Sequence, residues 1–269
     1  MSVNRLPESQ RIAVLSDGSS LPPGNDLNSV LAGHARWLRH QGCDSCTRQL
    51  SADDPDALAD ALSATQGQAS IFYLVHTRAE RTERIRQALE GVGRAVVADS
   101  DLRAVVAVAR VLTELRRAGR PINQCAVVIA GSDKLLEMVP LLMAIGVCNL
   151  VSWTQADAPD FPFAHIARDA DMVVELRAAP VDDPRTQGQT HPVVVRLPAL
   201  TDCLAVLPGL LAALADTTAG RLRVDVLAAV AQMLATTAVP GLALATPDPA
   251  LTDGIAWVAR QGLRHPRGG

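Results

Sequence analysis

The chain of 269 residues is short of aromatics: one tyrosine, three phenylalanines and three tryptophans make up 3% of it. Its core must therefore be packed from alanine, valine and leucine, with few large rings to fill gaps. Lysine is scarcer still. Lys134 is the only one among 25 basic side chains, so a Schiff-base or amine-base mechanism has one possible position. There is no surplus of positive charge either. The 25 basic residues face 28 acidic ones for a net charge of −3, which argues against a nucleic-acid partner. No apolar run reaches the length of a membrane span, so no membrane partner is expected. Residues 1–10 are polar and lack the apolar centre of a secretion signal. The five cysteines, Cys43, Cys46, Cys125, Cys148 and Cys203, are an odd number in a chain too long for a small secreted scaffold. A reducing cytoplasm is the expected location. Cys43 and Cys46 form a lone C-x-x-C with no second pair, too little for a zinc site.

What remains is ample for a folded α/β protein. Hydrophobic residues make up 48% of the sequence, which excludes a disordered chain. Short runs rich in valine and isoleucine predict strands at 11–16, 71–75, 94–98, 126–130, 149–153, 172–176 and 193–197. Between them, patterns of helical period predict helices at 55–64, 79–90, 102–118, 134–145, 223–236 and 248–260. The stretch 181–191, VDDPRTQGQTH, predicts a loop. Strand–helix alternation of this kind implies a mostly parallel sheet.

Ala126–Val139, AVVIAGSDKLLEMV, has the strand–turn–helix pattern of a dinucleotide-binding loop. Such a loop needs glycines for the tight turn, for backbone approach to the pyrophosphate, and for helix packing. Gly131 fits the first position, but Asp133 and Leu136 stand at the other two. The strand that should end in a ribose-binding acid ends Trp153-Thr154-Gln155. Gly131 is thus the remnant of a cofactor motif, and no cofactor is expected.

In order along the chain, several segments resemble the malic enzymes. They are Ile12–Ser19 (IAVLSDGS), Val30–Asp44 (VLAGHARWLRHQGCD), Ser51–Leu62 (SADDPDALADAL), Val96–Ile122, Leu204–Leu214 (LAVLPGLLAAL) and Leu244–Ala259. The resemblance implies a Rossmann-type, mostly parallel sheet beside a smaller N-terminal α/β part. It divides the chain into 1–98 (N-terminal α/β domain), 99–203 (degenerate dinucleotide-binding domain) and 204–269 (helices packing back on the first part). It also implies a homodimer.

The resemblance further says which residues stand at the family's chemical positions. His34 matches the family's lysine base. Asp99 matches the second Asp of the D-D-Q segment, with Ala98 at the first. The apolar stretch Ile71–Val75 occupies the place of the Glu-Asp metal pair, so no metal is expected. Asp202-Cys203 matches an Asn-Asn pair. The family's tyrosine acid lies in a segment without a counterpart here, and Tyr73 falls in a strand.

The expected catalytic pair is His34, as proton-transfer group, and Asp99, as its partner or as a second acid/base. Each has a bland alternative: a surface or capping histidine, and an N-cap competing with Asp101. Arg103 is expected to pair with an anionic substrate, or else to be a solvated first-turn residue. His76 follows the strand that replaces the metal pair. Cys203 is expected at the cleft mouth or as an inert buried thiol. The function this implies is acid/base chemistry on a small carboxylic or carbonyl substrate: isomerisation, cyclisation, dehydration or decarboxylation, without metal or NAD. The alternatives are a non-catalytic binding or scaffold protein and an NAD(P)-dependent oxidoreductase with unusual cofactor contacts.

Overall fold

The computed structural model describes residues 11–51, 69–90, 94–177, 192–217, 220–237 and 248–264. The expected helix at 55–64 and loop at 181–191 lie outside the described residues.

Two four-stranded sheets, parallel throughout, form the frame. The first contains β1 (Arg11–Ser16), β2 (Asp44–Gln49), β3 (Ile71–Leu74) and β4 (Ala95–Ala98), in the order β2-β1-β3-β4. The second contains β5 (Ala126–Ala130), β6 (Asn149–Trp153), β7 (Met172–Glu175) and β8 (Val193–Arg196), in the order β6-β5-β7-β8. In each sheet the strand order reverses at one point, between β1 and β3 in the first and between β5 and β7 in the second. Ligands of open α/β sheets collect beyond the strand carboxyl ends at such points.

The helices are α1 (Leu27–His40), α2 (Ala79–Glu90), α3 (Asp99–Arg117), α4 (Met138–Ala144), α5 (Phe163–Ile166), α6 (Leu200–Cys203), α7 (Leu207–Ala215), α8 (Val224–Thr237) and α9 (Pro249–Arg264). Parallel strands covered on both faces read as continuous apolar runs, and β3, IFYL, is buried at every position. Ile71 and Tyr73 face the large central core, while Phe72 and Leu74 face a smaller one with Ile85 and Leu89 of α2. The central core runs on to Val127, Ile129, Met172 and Val174 of the second sheet, so one apolar mass joins the halves. The helix at its centre is α3. Leu102 and nearly every residue from Ala104 to Leu112 are buried, the pattern of a helix enclosed on all sides. The scarcity of aromatics is consistent with this packing: small side chains let α3 approach β4, α4, α6 and α8 together.

Three local outcomes differ from the expectations. The strand β2, DSCTRQ, has no valine or isoleucine and was not anticipated. It is an edge strand with its side chains largely exposed, held by pairing with β1. The helix expected from Lys134 begins at Met138 instead. Gly131 turns left-handed (φ 82°), a 3-10 turn follows at Ser132–Lys134, and Leu135 is extended before the helix starts. Finally, α3 begins at Asp99 rather than Leu102, and Asp101 satisfies its N-terminus by accepting the Ala98 N–H at 2.8 Å.

A buried polar knot fixes that helix start. Arg86 of α2 pairs with Asp101 at 2.7 Å and with Glu137, ahead of α4, at 3.3 Å. Ser100 donates to the same Glu137 oxygen at 2.6 Å. The knot ties both halves to the first turn of α3.

Candidate active site

The reversal point of the first sheet carries a cluster of polar side chains. Its loops are bound to each other. Arg78 donates its N–H to Ser19 Oγ at 2.8 Å and its Nε–H to the Ser19 carbonyl at 2.9 Å. Arg81 pairs with the buried Asp17 at 3.1 Å. The turn after β3 ends in His76, the only non-glycine residue with positive φ (49°) among the described residues. A bulky residue there stores strain, and such strain gathers at ligand sites. It is held from both sides: Ser20 donates to the His76 carbonyl at 3.1 Å, and the His76 N–H reaches Asp99 Oδ2 at 2.8 Å.

Asp99 is therefore not the helix cap, since Asp101 does that work. Its carboxyl sits in the first turn of α3, where burial pushes its pKa up to about 6 against the opposing pull of the His76 N–H and Arg103. A carboxyl in that range exchanges its proton near neutral pH.

His34 stands in the middle of α1, not at its start. Asp26 caps that helix by accepting the Ser29 N–H at 2.8 Å. With Leu31, Ala35 and Leu38 buried at helical spacing, His34 falls on the same inner face. Its ring meets the edge of Tyr73 at 5.7 Å between centroids and the His76 ring at 5.8 Å. Burial first, and then His76, lower its pKa to about 4. Burial and Arg103 lower that of His76 as well. Both imidazoles are neutral at pH 7, able to donate from one nitrogen and accept at the other. The group tuned to neutral pH is Asp99, where the sequence pointed to His34.

Arg103, one turn along α3 from Asp99, donates its Nε–H to the Pro198 carbonyl at 3.4 Å, so it bridges to the second half. Its field reaches Asp99, His76 and Cys203. Cys203 of α6 is fully buried and its thiol donates to the Ala199 carbonyl at 3.3 Å. Burial pushes that thiol up to about 12, so it stays protonated and is no nucleophile. Lys134 is remote from this chemistry: its ammonium is exposed and paired with Asp133.

Two contributors were not singled out from sequence. Tyr73 lies fully buried between His34, Asp99 and Cys203. Its only signal was a hydroxyl in an otherwise apolar strand. Arg177 follows β7 at the second reversal point, opposite Gly131. It pairs with Glu175 through Nη2 at 2.6 Å and Nε at 2.8 Å. Its guanidinium lies 4.3 Å from the Phe163 ring centre and 5.2 Å from that of Trp153. A Cβ on Gly131 would come within 3.0 Å of Arg177 Cγ and 3.4 Å of its backbone nitrogen. Gly131 makes the tight turn against Arg177, while the position at which the backbone of a dinucleotide-binding loop approaches a pyrophosphate holds Asp133, whose carboxylate does not fit that anion. Among the described residues no three His, Cys, Asp or Glu side chains converge as a ligand set.

No protein-family model and no curated protein matches the sequence. Solved structures do match its fold. The NAD-dependent malic enzyme of Thermotoga maritima superposes with a TM-score of 0.73 at 17% identity, over 93% of this chain and 84% of that one. The malic enzyme of Pyrococcus horikoshii gives 0.72 at 16% identity, over 96% and 77%. That of Entamoeba histolytica gives 0.74 at 15% identity, over 96% and 70%. The likeness is one of fold: Rossmann-like, malic-enzyme-like α/β.

Proposed function

We propose that the chain is an enzyme performing metal-free, nicotinamide-independent acid/base chemistry on a small anionic carboxylic or carbonyl substrate. The observation that carries this reading is Asp99, a buried carboxyl at the strand reversal with its pKa raised to about 6, one helical turn from Arg103. In the mechanism that follows, Arg103 pairs with the substrate's anionic group, and Asp99 takes or returns the proton. His34 and His76 stay neutral and orient the substrate by hydrogen bonds. Isomerisation, cyclisation and dehydration each use such a proton transfer beside a carbonyl or carboxylate, dehydration also expelling water, while in decarboxylation the C–C bond to the leaving CO₂ breaks and the carbon left behind takes the proton. Asp133, at the position where a dinucleotide loop approaches its pyrophosphate, supports chemistry without a nicotinamide cofactor.

The test is exchange of carbon-bound hydrogen in D₂O, followed by NMR across a panel of small oxo- and hydroxy-carboxylic acids. The reading expects exchange for at least one compound without added cofactor. It also expects a loss of 10²- to 10⁴-fold in Asp99→Asn, the range for a positioned acid/base. A panel with no exchange favours a binding or scaffold protein. The fold favours a second reading, an NAD-dependent malic enzyme like the Thermotoga maritima neighbour. Reduction of NAD with malate would establish it in place of the first.

A further inference from the structure

The Tyr73 hydroxyl poses a specific problem. Tyr73 is completely buried in the middle strand pairing of the first sheet, with Val14 on one side and Val97 on the other. Its hydroxyl has no hydrogen-bond partner among the described residues. A buried hydroxyl left unpaired costs stability, whereas an apolar group of the same shape does not. Phenylalanine would fill the same space, and Phe72 does so on the opposite face of the strand. The orphan is not isolated, however. The edge-on contact with His34 places the ring in the polar cluster at the strand reversal, and the hydroxyl lies within the fields of Asp99 and Cys203. Cys203 already spends its proton on the Ala199 carbonyl.

We propose that the Tyr73 hydroxyl is the floor of the ligand site, a neutral hydrogen-bond donor that receives a carbonyl or carboxylate oxygen of the substrate between Asp99 and His34. The inference rests on the reading of this cluster as an acid/base site for a small anion. Burial, with Asp99 and Cys203 beside it, keeps the phenol protonated well above the usual tyrosine range. Tyr73 therefore donates without giving up its proton. A donor fixed in a strand and surrounded by packed side chains needs no rearrangement when negative charge builds up on the bound oxygen. Arg103 would take the ligand's charged end and Tyr73 its inner oxygen, which selects compounds carrying an oxygen acceptor one short link away from an anionic group.

Tyr73 is the only tyrosine in the chain, so protein labelled with ¹³C at the tyrosine Cζ gives a single NMR signal reporting this hydroxyl. The probes are acetate, malonate and acetoacetate, with sodium chloride at matched ionic strength as control. Malonate or acetoacetate should raise the melting temperature and move the signal, and chloride should do neither. Tyr73→Phe should melt at the same temperature as the parent or ~2–4 °C higher, and should lose most of the stabilisation by the probes. A Tyr73→Phe protein that melts several degrees lower overturns the proposal, because its hydroxyl is then satisfied without ligand. Stabilisation by a probe with an unmoved signal overturns it too, while leaving the acid/base reading intact. If no probe binds at all, the anionic-substrate reading falls and the inference falls with it.

Discussion

Asp99 Oδ2 accepts the backbone N–H of His76 at 2.8 Å, and that bond holds a histidine in a left-handed conformation at the carboxyl end of β3. The first turn of α3 and the turn after β3 are thereby locked together at the point where the strand order of the first sheet reverses.

With Asp99 acting as base, turnover should rise with pH through about 6 and level off above it, since only the ionised carboxylate accepts a proton. Asp99→Asn should remove that rise along with most of the rate. A profile with no inflection between pH 5 and 7 would place the titrating group elsewhere.

Stability should carry the opposing signatures of Asp99 and His34. The folded value of Asp99, about 6, lies above its ordinary 3.8, so its contribution is present at low pH and lost as pH rises between these values. The folded value of His34, about 4, lies below 6.5, so its contribution grows over nearly the same window. His76 adds to the histidine slope, and Arg103 and Glu137 face Asp99 with opposing charges. Asp99 offsets one of the two histidines, so the parent should gain stability only gently from pH 4.5 to 6. Asp99→Asn should gain it more steeply with rising pH, by at most about 1.4 kcal/mol per unit for each histidine. Urea denaturation at half-unit pH steps measures it.

Asp133 stands where the backbone of a dinucleotide loop approaches its pyrophosphate. Calorimetry should find NAD and NADP binding no tighter than about millimolar, and magnesium or manganese should not raise the melting temperature. Micromolar dinucleotide binding would revive the oxidoreductase reading.

Glu175 and Arg177 are both nearly buried, at 6% and 9% side-chain exposure. Glu175→Ala should therefore cost about 3–5 kcal/mol in urea denaturation, because it strands the guanidinium between two rings. A loss below about 1 kcal/mol would show that the arginine reaches water with ease.

Gly209 of α7 faces α9 so closely that a Cβ would stand 2.6 Å from Ile255 and 2.8 Å from the Thr252 carbonyl. Gly209→Ala should separate the helices and cost at least about 1–3 kcal/mol, the usual range for overpacking. An unchanged melting temperature would show that this crossing can slide.

The parallel α/β class was legible because valine-rich runs alternate with helical periods, and because strands covered on both faces must be apolar throughout. β1 and β5 show this with the bounds their sequences suggest. β2 was illegible for the converse reason. An edge strand with exposed side chains is held by backbone pairing to its neighbour, which leaves no hydrophobic pattern to read. His34, Asp99, Arg103, His76 and Cys203 could each be named from local context. Their chemical states could not, because desolvation depends on what other segments bring near. Burial lowers His34 to about 4 and raises Asp99 to about 6, which moves the neutral-pH proton from one to the other. Tyr73 and Arg177 depended on tertiary structure most. A tyrosine in a strand and an arginine after one are ordinary in sequence. Only the packing of α1 and α6 around the first leaves its hydroxyl unpaired, and only the meeting of β5, β6 and β7 sets the second against Gly131, Trp153 and Phe163. Hydrophobic periodicity is a local property of the chain and dictated the layers, whereas unpaired donors and displaced pKa values arise from contacts distant in sequence, which folding alone creates.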